Sequence, residues 1–262
     1  MPSKKQTYHV YLLILALAVP ARMLHAQTTA YAAESPIQEQ AAAKPQTTGQ
    51  TAEEASVLPG TTADGSHKKI SLLFTMGPLG ILNTESTTKS APSPIVFTVG
   101  AGISVPLGAR TTFEPRLAFF SNYYLWDGSN ALPAEVENRT ALALSMLIDL
   151  PAVYTFYREN SMFQAGGGLA LLARYGILAG GVSSSDSGAS GSAGGDVDKI
   201  NAWFWSGCRF LYPELLGSWM FTLNRRLKAG AEQRIYVPLG SLINGRGLDG
   251  IMAGLNLRII VQ

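Results

Sequence analysis

The chain has 262 residues, a formal net charge of +2, and only 15% charged side chains against 47% hydrophobic ones. That balance is poor in charge for a soluble domain, and the small net charge removes the bulk electrostatic case for nucleic-acid binding. No apolar run reaches the roughly 18 residues that a membrane-spanning helix needs.

Residues 1–32 read as a signal peptide. Lys4 and Lys5 precede the apolar stretch Val10 to Val19, which is too short to cross a bilayer. Cleavage after Ala26 (Leu-His-Ala) and after Ala32 (Ala-Tyr-Ala) both fit. Residues 33–67 are rich in Ala, Gln, Thr, Glu, Pro and Gly. With few large apolar side chains they cannot offset their ordering entropy, and a disordered periplasmic tail is expected. Residues 68–262 are expected as one domain.

From there a period of two dominates, the signature of β-strands. The first strand, 69–82, aligns Ile70, Leu72, Phe74 and Met76 on one face. The second, 94–105, sets Ile95, Phe97, Val99, Ala101, Ile103 and Val105 against Thr98, Gly100, Gly102 and Ser104. The third, 111–125, sets Phe113, Leu117, Phe119, Tyr123 and Leu125 against Glu114, Arg116, Phe120, Asn122 and Tyr124. The fourth, 139–157, opposes an apolar face including Leu144 and Tyr154 to Ser145, Asp149 and Thr155; the fifth, 162–177, opposes Phe163, Leu169 and Tyr175 to Gln164, Gly166, Gly168 and Arg174. Everything between 200 and 223 reads as one strand-like sixth segment, with bulges expected at Pro213 and at Pro151 in the fourth strand. The seventh, 227–239, sets Leu227, Ala229, Ala231 and Ile235 against Lys228, Gly230, Glu232, Arg234 and Tyr236. The eighth, from 251, sets Leu255 and Leu257 against Asn256 and Arg258.

Connections after the even-numbered strands are short, and those after the odd-numbered strands are long (83–93, 126–138, 178–199 and 240–249). Membrane barrels alternate short periplasmic turns with long outer loops in this way. The polar faces carry charges of both signs, which can pair across a narrow lumen: Glu114, Arg116, Asp149, Arg174, Arg209, Glu214, Lys228, Glu232, Arg234 and Arg258, of which Glu114, Arg116, Asp149, Arg174, Glu232, Arg234 and Arg258 are the candidate lumen network. An eight-stranded interior is just filled by side chains. Glycines fall on the same inward face, and Tyr123, Tyr154, Phe156, Tyr175, Trp219 and Phe221 lie near strand ends as candidate interfacial girdles. The fold expected is therefore all-β, an eight-stranded antiparallel up-and-down transmembrane barrel.

The chain resembles small bacterial outer-membrane barrels of the OmpA, OmpX and OmpW type over about 68–262. The segment IDLPAVYTFYRENSMFQAGGGLALL (148–172) carries the likeness: a strand with proline and aromatics, a short turn, then a Gly-rich strand. The resemblance implies an outer-membrane location and lipids of that membrane as partners.

Barrel enzymes of such membranes rely on a histidine base near the outer rim. The histidines here are His9, His25 and His67, all ahead of the first strand, so no Ser-His pair is available and no catalysis is expected. Asp127, Asp186, Asp196 and Asp198 are candidate surface-loop carboxylates, the last three in a Ser/Gly-rich stretch expected to be flexible; without regular ligand spacing, no metal or other cofactor is expected. Cys208, the sole cysteine, is expected on a strand as a small buried or lipid-facing residue. Trp203 and Trp205 are expected as interfacial anchors. The expected function is a monomeric, porin-like cell-surface scaffold whose loops meet a host or environmental ligand. A narrow channel or binding cleft for small hydrophobic molecules is the alternative, and a soluble secreted lipid-binding barrel the second.

Overall fold

The computed structural model of the protein describes residues 69–84, 91–159 and 161–262; the predicted signal peptide and tail lie outside the described residues. The elements are β1 (Ser71–Ile81), β2 (Ile95–Pro106), β3 (Thr111–Phe113), β4 (Arg116–Trp126), β5 (Ala131–Pro133), β6 (Ala141–Arg158), β7 (Ser161–Leu178), α1 (Ala193–Trp205), β8 (Leu211–Thr222), β9 (Leu227–Tyr236), α2 (Leu239–Ile243) and β10 (Met252–Val261).

β3 and β4 form a single stave of the wall. Pro115 lacks the N–H that a continuous ladder requires, yet its carbonyl accepts from Ile103 N at 3.1 Å, and Glu114 N donates to the Pro151 carbonyl at 3.0 Å. Register is unbroken across the interruption, with Phe113 opposite Ala152 and Arg116 opposite Asp149. β5 only folds back on the end of β4. The eight staves pair antiparallel in chain order, and β10 pairs with β1 to close the ring. The protein is an eight-stranded antiparallel up-and-down barrel whose wall has no free edge.

Because successive side chains point to opposite faces of a strand, closure sorts the sequence into a lumen set and an outward set. Phe97, Phe119 and Leu255 are about three-fifths exposed, and Leu144 and Leu257 about half. Glu114, Asp149, Glu232, Arg234 and Arg258 are fully buried. Apolar groups thus face away from the axis and ionic groups toward it. Glycine is required where the curved wall leaves no room for a side chain. A Cβ at Gly230 would strike the Trp219 carbonyl oxygen, and one at Gly168 the Leu150 carbonyl oxygen.

The outward aromatics form two levels. Near the short turns, Tyr154 packs edge-on to Phe156 at 4.9 Å, Phe156 lies 6.0 Å from Phe163, and Trp219 stacks on Phe221 at 5.7 Å. Near the long loops, Tyr175 and Trp205 are exposed, and Arg139 lies over the Tyr123 ring at 5.2 Å.

The region expected as one strand from 200 to 223 is divided. Its first part belongs to α1, an amphipathic helix burying Ala193, Val197, Ile200 and Phe204. Ser192 caps it by accepting from Gly195 N at 3.1 Å. Two successive left-handed residues, Gly207 (φ 56°) and Cys208 (φ 57°), then turn the chain into β8. Cys208 therefore sits exposed in a turn, where a strand position was expected. The expected bulges are absent. Pro151 and Pro213 lie in continuous registers, opposite Gly168 and Leu169. The seventh strand ends at Tyr236, because Pro238 starts the short α2.

Candidate functional site

The lumen has three layers. At the short-turn end, Leu73, Met162, Met220 and Ile260 pack together. At the long-loop end, Phe120, Leu147, Leu172, Tyr212, Tyr236 and Met252 form a second apolar cluster. An ionic belt lies between them.

Arg116 and Asp149 are direct cross-strand partners on β4 and β6. Arg116 donates from Nε to Asp149 Oδ2 at 2.7 Å, and from Nη1 to Thr75 Oγ1 at 2.8 Å and to Glu232 Oε1 at 3.2 Å. Its Nη2 donates to the Tyr236 hydroxyl at 2.7 Å. On β9 the i, i+2 spacing puts Glu232 and Arg234 on one face, and Arg234 donates to Glu232 at 2.6 Å and to Glu214 of β8 at 2.7 Å. Arg258 of β10 donates to Glu232 Oε2 at 2.5 Å and reaches over to Glu114 Oε2 at 2.5 Å. Ser104 and Thr112 hydroxyls complete the Glu114 shell at 3.1 and 3.0 Å. Glu232 thus touches all three guanidiniums. A buried charge is tolerated only when paired and hydrogen-bonded; every ionic group of the belt is paired through contacts among five staves, while Asp149 Oδ1, Glu214 Oε1 and Arg258 Nε have no hydrogen-bond partner among the described residues. Its carboxylates are taken by guanidiniums, and among the described residues no cluster of side chains presents a metal site.

The belt includes Glu214, as expected of the inward charges, and also Thr75 and Tyr236, which had not been among its expected members. Arg174 does not join it. Arg174 faces inward on β7, but at the loop end, opposite Ser145 rather than Asp149. It donates to the Arg209 carbonyl at 3.0 Å and to the Tyr124 hydroxyl at 3.4 Å, and its guanidinium lies 4.3 Å from the centre of the Phe204 ring.

The mouth is filled by α1. Inward-facing Ala141, Ala143 and Gly176 leave room for it, and Val197, Ile200 and Phe204 pack there against Tyr124. Asn201 clamps the helix to the wall, accepting from Gly176 N at 2.7 Å and donating to Gly176 O at 3.0 Å. The stretch expected to be flexible is thus largely structured. Asp196 is buried, where a surface position was expected: its carboxylate accepts from Ala189 N (3.0 Å), Ser190 N (2.7 Å) and Ser190 Oγ (2.6 Å), tying the preceding loop to the helix. Asp186 accepts from Ser183 N at 2.8 Å, and Asp198 is exposed on the helix. Asp127 accepts from Ser129 N, Ser129 Oγ and Asn130 N. Partial burial pushes its carboxyl up, but these hydrogen bonds outweigh that and hold it below its ordinary range. Trp203 is half-buried under Arg209, whose guanidinium lies 4.4 Å from the ring centre; Trp205 is exposed.

No protein-family model matches the chain, and no curated protein matches it. Among solved structures it is similar to Neisserial surface protein A, with a TM-score of 0.47 and 11% identity over 73% of this chain and 96% of that one. It is also similar to the outer membrane enzyme PagL (TM-score 0.35, 12% identity, 72% of this chain and 99% of that one). A third is Ail, the attachment invasion locus protein of Yersinia pestis (TM-score 0.33, 9% identity, 73% and 96%). All three are small eight-stranded barrels of outer membranes.

Proposed function

We propose that this chain is a monomeric, non-catalytic outer-membrane barrel that presents structured loops to the exterior for contact with a ligand. The outward wall carries the reading. A continuous girdle of exposed apolar side chains, bounded by two aromatic levels, is unstable in water and matched to acyl chains. With the wall closed, no strand edge is left to recruit a second copy. The ionic belt favours a scaffold over a conducting channel, since five of its side chains are out of reach of water. Residues 69–262 contain no histidine to act as a base.

Cys208 supplies the test of orientation, as the sole cysteine, exposed at the long-loop end. A membrane-impermeant maleimide should label it on intact cells. Labelling that needs prior permeabilisation would refute outward presentation. For insertion itself, Leu257→Arg should cost about 2–4 kcal/mol near the midplane, read as loss of heat-modifiable migration. Unchanged migration would argue that this face does not meet lipid.

A further inference from the structure

The short-turn end of the barrel carries a base at each of its chain connections. Lys69 precedes β1, Arg110 lies between β2 and β3, Arg158 ends β6, and Arg225 and Arg226 lie between β8 and β9. All five are exposed. Wall pairing brings their carriers together: Thr111 lies opposite Tyr154, Ser161 opposite Phe221, and Gln262 N donates to the Arg226 carbonyl at 2.8 Å. With β10 paired to β1, the bases follow one another around the ring.

Their depth is fixed by the aromatic level. On β6 the outward column runs Tyr154, Phe156, Arg158; on β8 it runs Trp219, Phe221, Leu223 and continues to Arg225. Arg158 therefore stands about 7 Å beyond Phe156, at two residues of strand rise. Aromatic rings seek the membrane–water interface, so guanidiniums one step farther out stand at the level of lipid phosphates. None of the five bases makes an ion pair among the described residues, and the Arg110 side chain is engaged only by the Tyr154 hydroxyl, 3.5 Å from Nη1. The turns at 107–110, 158–161 and 223–226 hold a single acid, Glu159.

The other end differs in sign. The four long connections, 83–93, 126–140, 178–210 and 237–251, hold eight acidic and five basic residues. Arg139, which lies over the Tyr123 ring there, is spent on the Val136 and Gly180 carbonyls. Bases at the short turns keep their donors outward, in the fork geometry that suits phosphate.

We propose that the short-turn end is a collar for anionic phospholipid headgroups, held by Arg110, Arg158, Arg225 and Arg226 beneath the aromatic level. The collar names a lipid class and a leaflet, the one facing the periplasm, and rests on the outer-membrane reading above.

The test reads lipid at the barrel wall by electron spin resonance. The full chain is folded into phosphatidylcholine vesicles containing a trace of chain-labelled phosphatidylglycerol or phosphatidylcholine. The wall should immobilise phosphatidylglycerol about threefold more than phosphatidylcholine, a preference of about fivefold at the collar averaged with none at the loop end. About 1 M NaCl should shrink that preference, because screening then acts within about 3 Å. The Arg110→Gln/Arg158→Gln/Arg225→Gln/Arg226→Gln variant, with heat-modifiable migration intact, should bring it near parity. Equal immobilisation of the two lipids by the unaltered protein would overturn the collar alone, without recourse to any variant, as would a preference that ignores salt or survives in the folded variant. Immobilisation of neither lipid would overturn the membrane reading along with it. Residues 33–67 hold five acids, Glu34, Glu39, Glu53, Glu54 and Asp64, as competing occupants. A preference that emerges only when all five are changed to their amides would assign the collar to that segment and overturn the lipid proposal.

Discussion

The belt and the mouth use the same side chain to opposite ends. In the belt, Arg116, Arg234 and Arg258 are met by Glu114, Asp149, Glu214 and Glu232, and the group is sealed from water. In the mouth, Arg174 and Arg209 rest on aromatic faces and carbonyl oxygens. A guanidinium neutralised by carboxylates has little left to offer a newcomer. One held by ring quadrupoles and dipoles keeps its full charge. The difference teaches that arginine in a barrel lumen can cross-link staves through carboxylates or rest on rings and carbonyls, and that its neighbours decide which.

The comparison breaks hardest at Arg234. Arg234→Met would leave Glu214, Glu232 and Asp149 short of a counter-charge in the dry lumen, and should cost about 3–5 kcal/mol. Urea unfolding from vesicles measures it, and a loss near zero would mean the belt is no lock. Arg174→Met should cost less, about 1–2 kcal/mol for a cation–π contact and its hydrogen bonds. The same unfolding assay reads it, and a loss equal to that of Arg234→Met would erase the distinction between the two regions. The smallest effect belongs to the rim. The Asp127 carboxyl is held below its unfolded value, so its stabilisation is present above about pH 4 and lost as pH falls through the lower folded value. Being solvent-screened, it should amount to less than about 1 kcal/mol. Asp127→Asn should flatten the acid limb of loop protection in hydrogen exchange without moving the barrel; an unchanged limb would remove Asp127 from that role.

Most of the wall was legible in the sequence because a strand's period of two is robust wherever one of its faces is apolar throughout. The belt was legible only in part. Alternation reports which face a residue occupies, not its height. Arg174 and Asp149 share the inward parity, but Arg174 pairs with Ser145, four residues up β6 from Asp149, or about 13 Å at 3.3 Å per residue. Tyr236 and Thr75 escaped because an uncharged hydroxyl does not stand out when charges are counted. The helix was missed for a different reason. Gly194 and Gly195 disguise its first turn, and its end runs close to β8. Its signal was present nonetheless: Ala193, Val197, Ile200 and Phe204 recur at helical spacing behind Ser192 as cap. Reading its second half as strand misplaced Cys208, and reading its first half as loop made Asp196 look like a surface group.

The seam between β1 and β10 sets how the molecule can be made. It joins Leu72 to Val261, 189 residues apart (261 − 72). Contacts of such long sequence separation are reached late and slowly. Until β10 arrives, every earlier strand belongs to an open ribbon with two unsatisfied borders, and Glu114 and Glu232 lack Arg258, the partner that the last strand carries. Maturation must therefore be a concerted event that follows synthesis, and it calls for something to chaperone those borders in the interval.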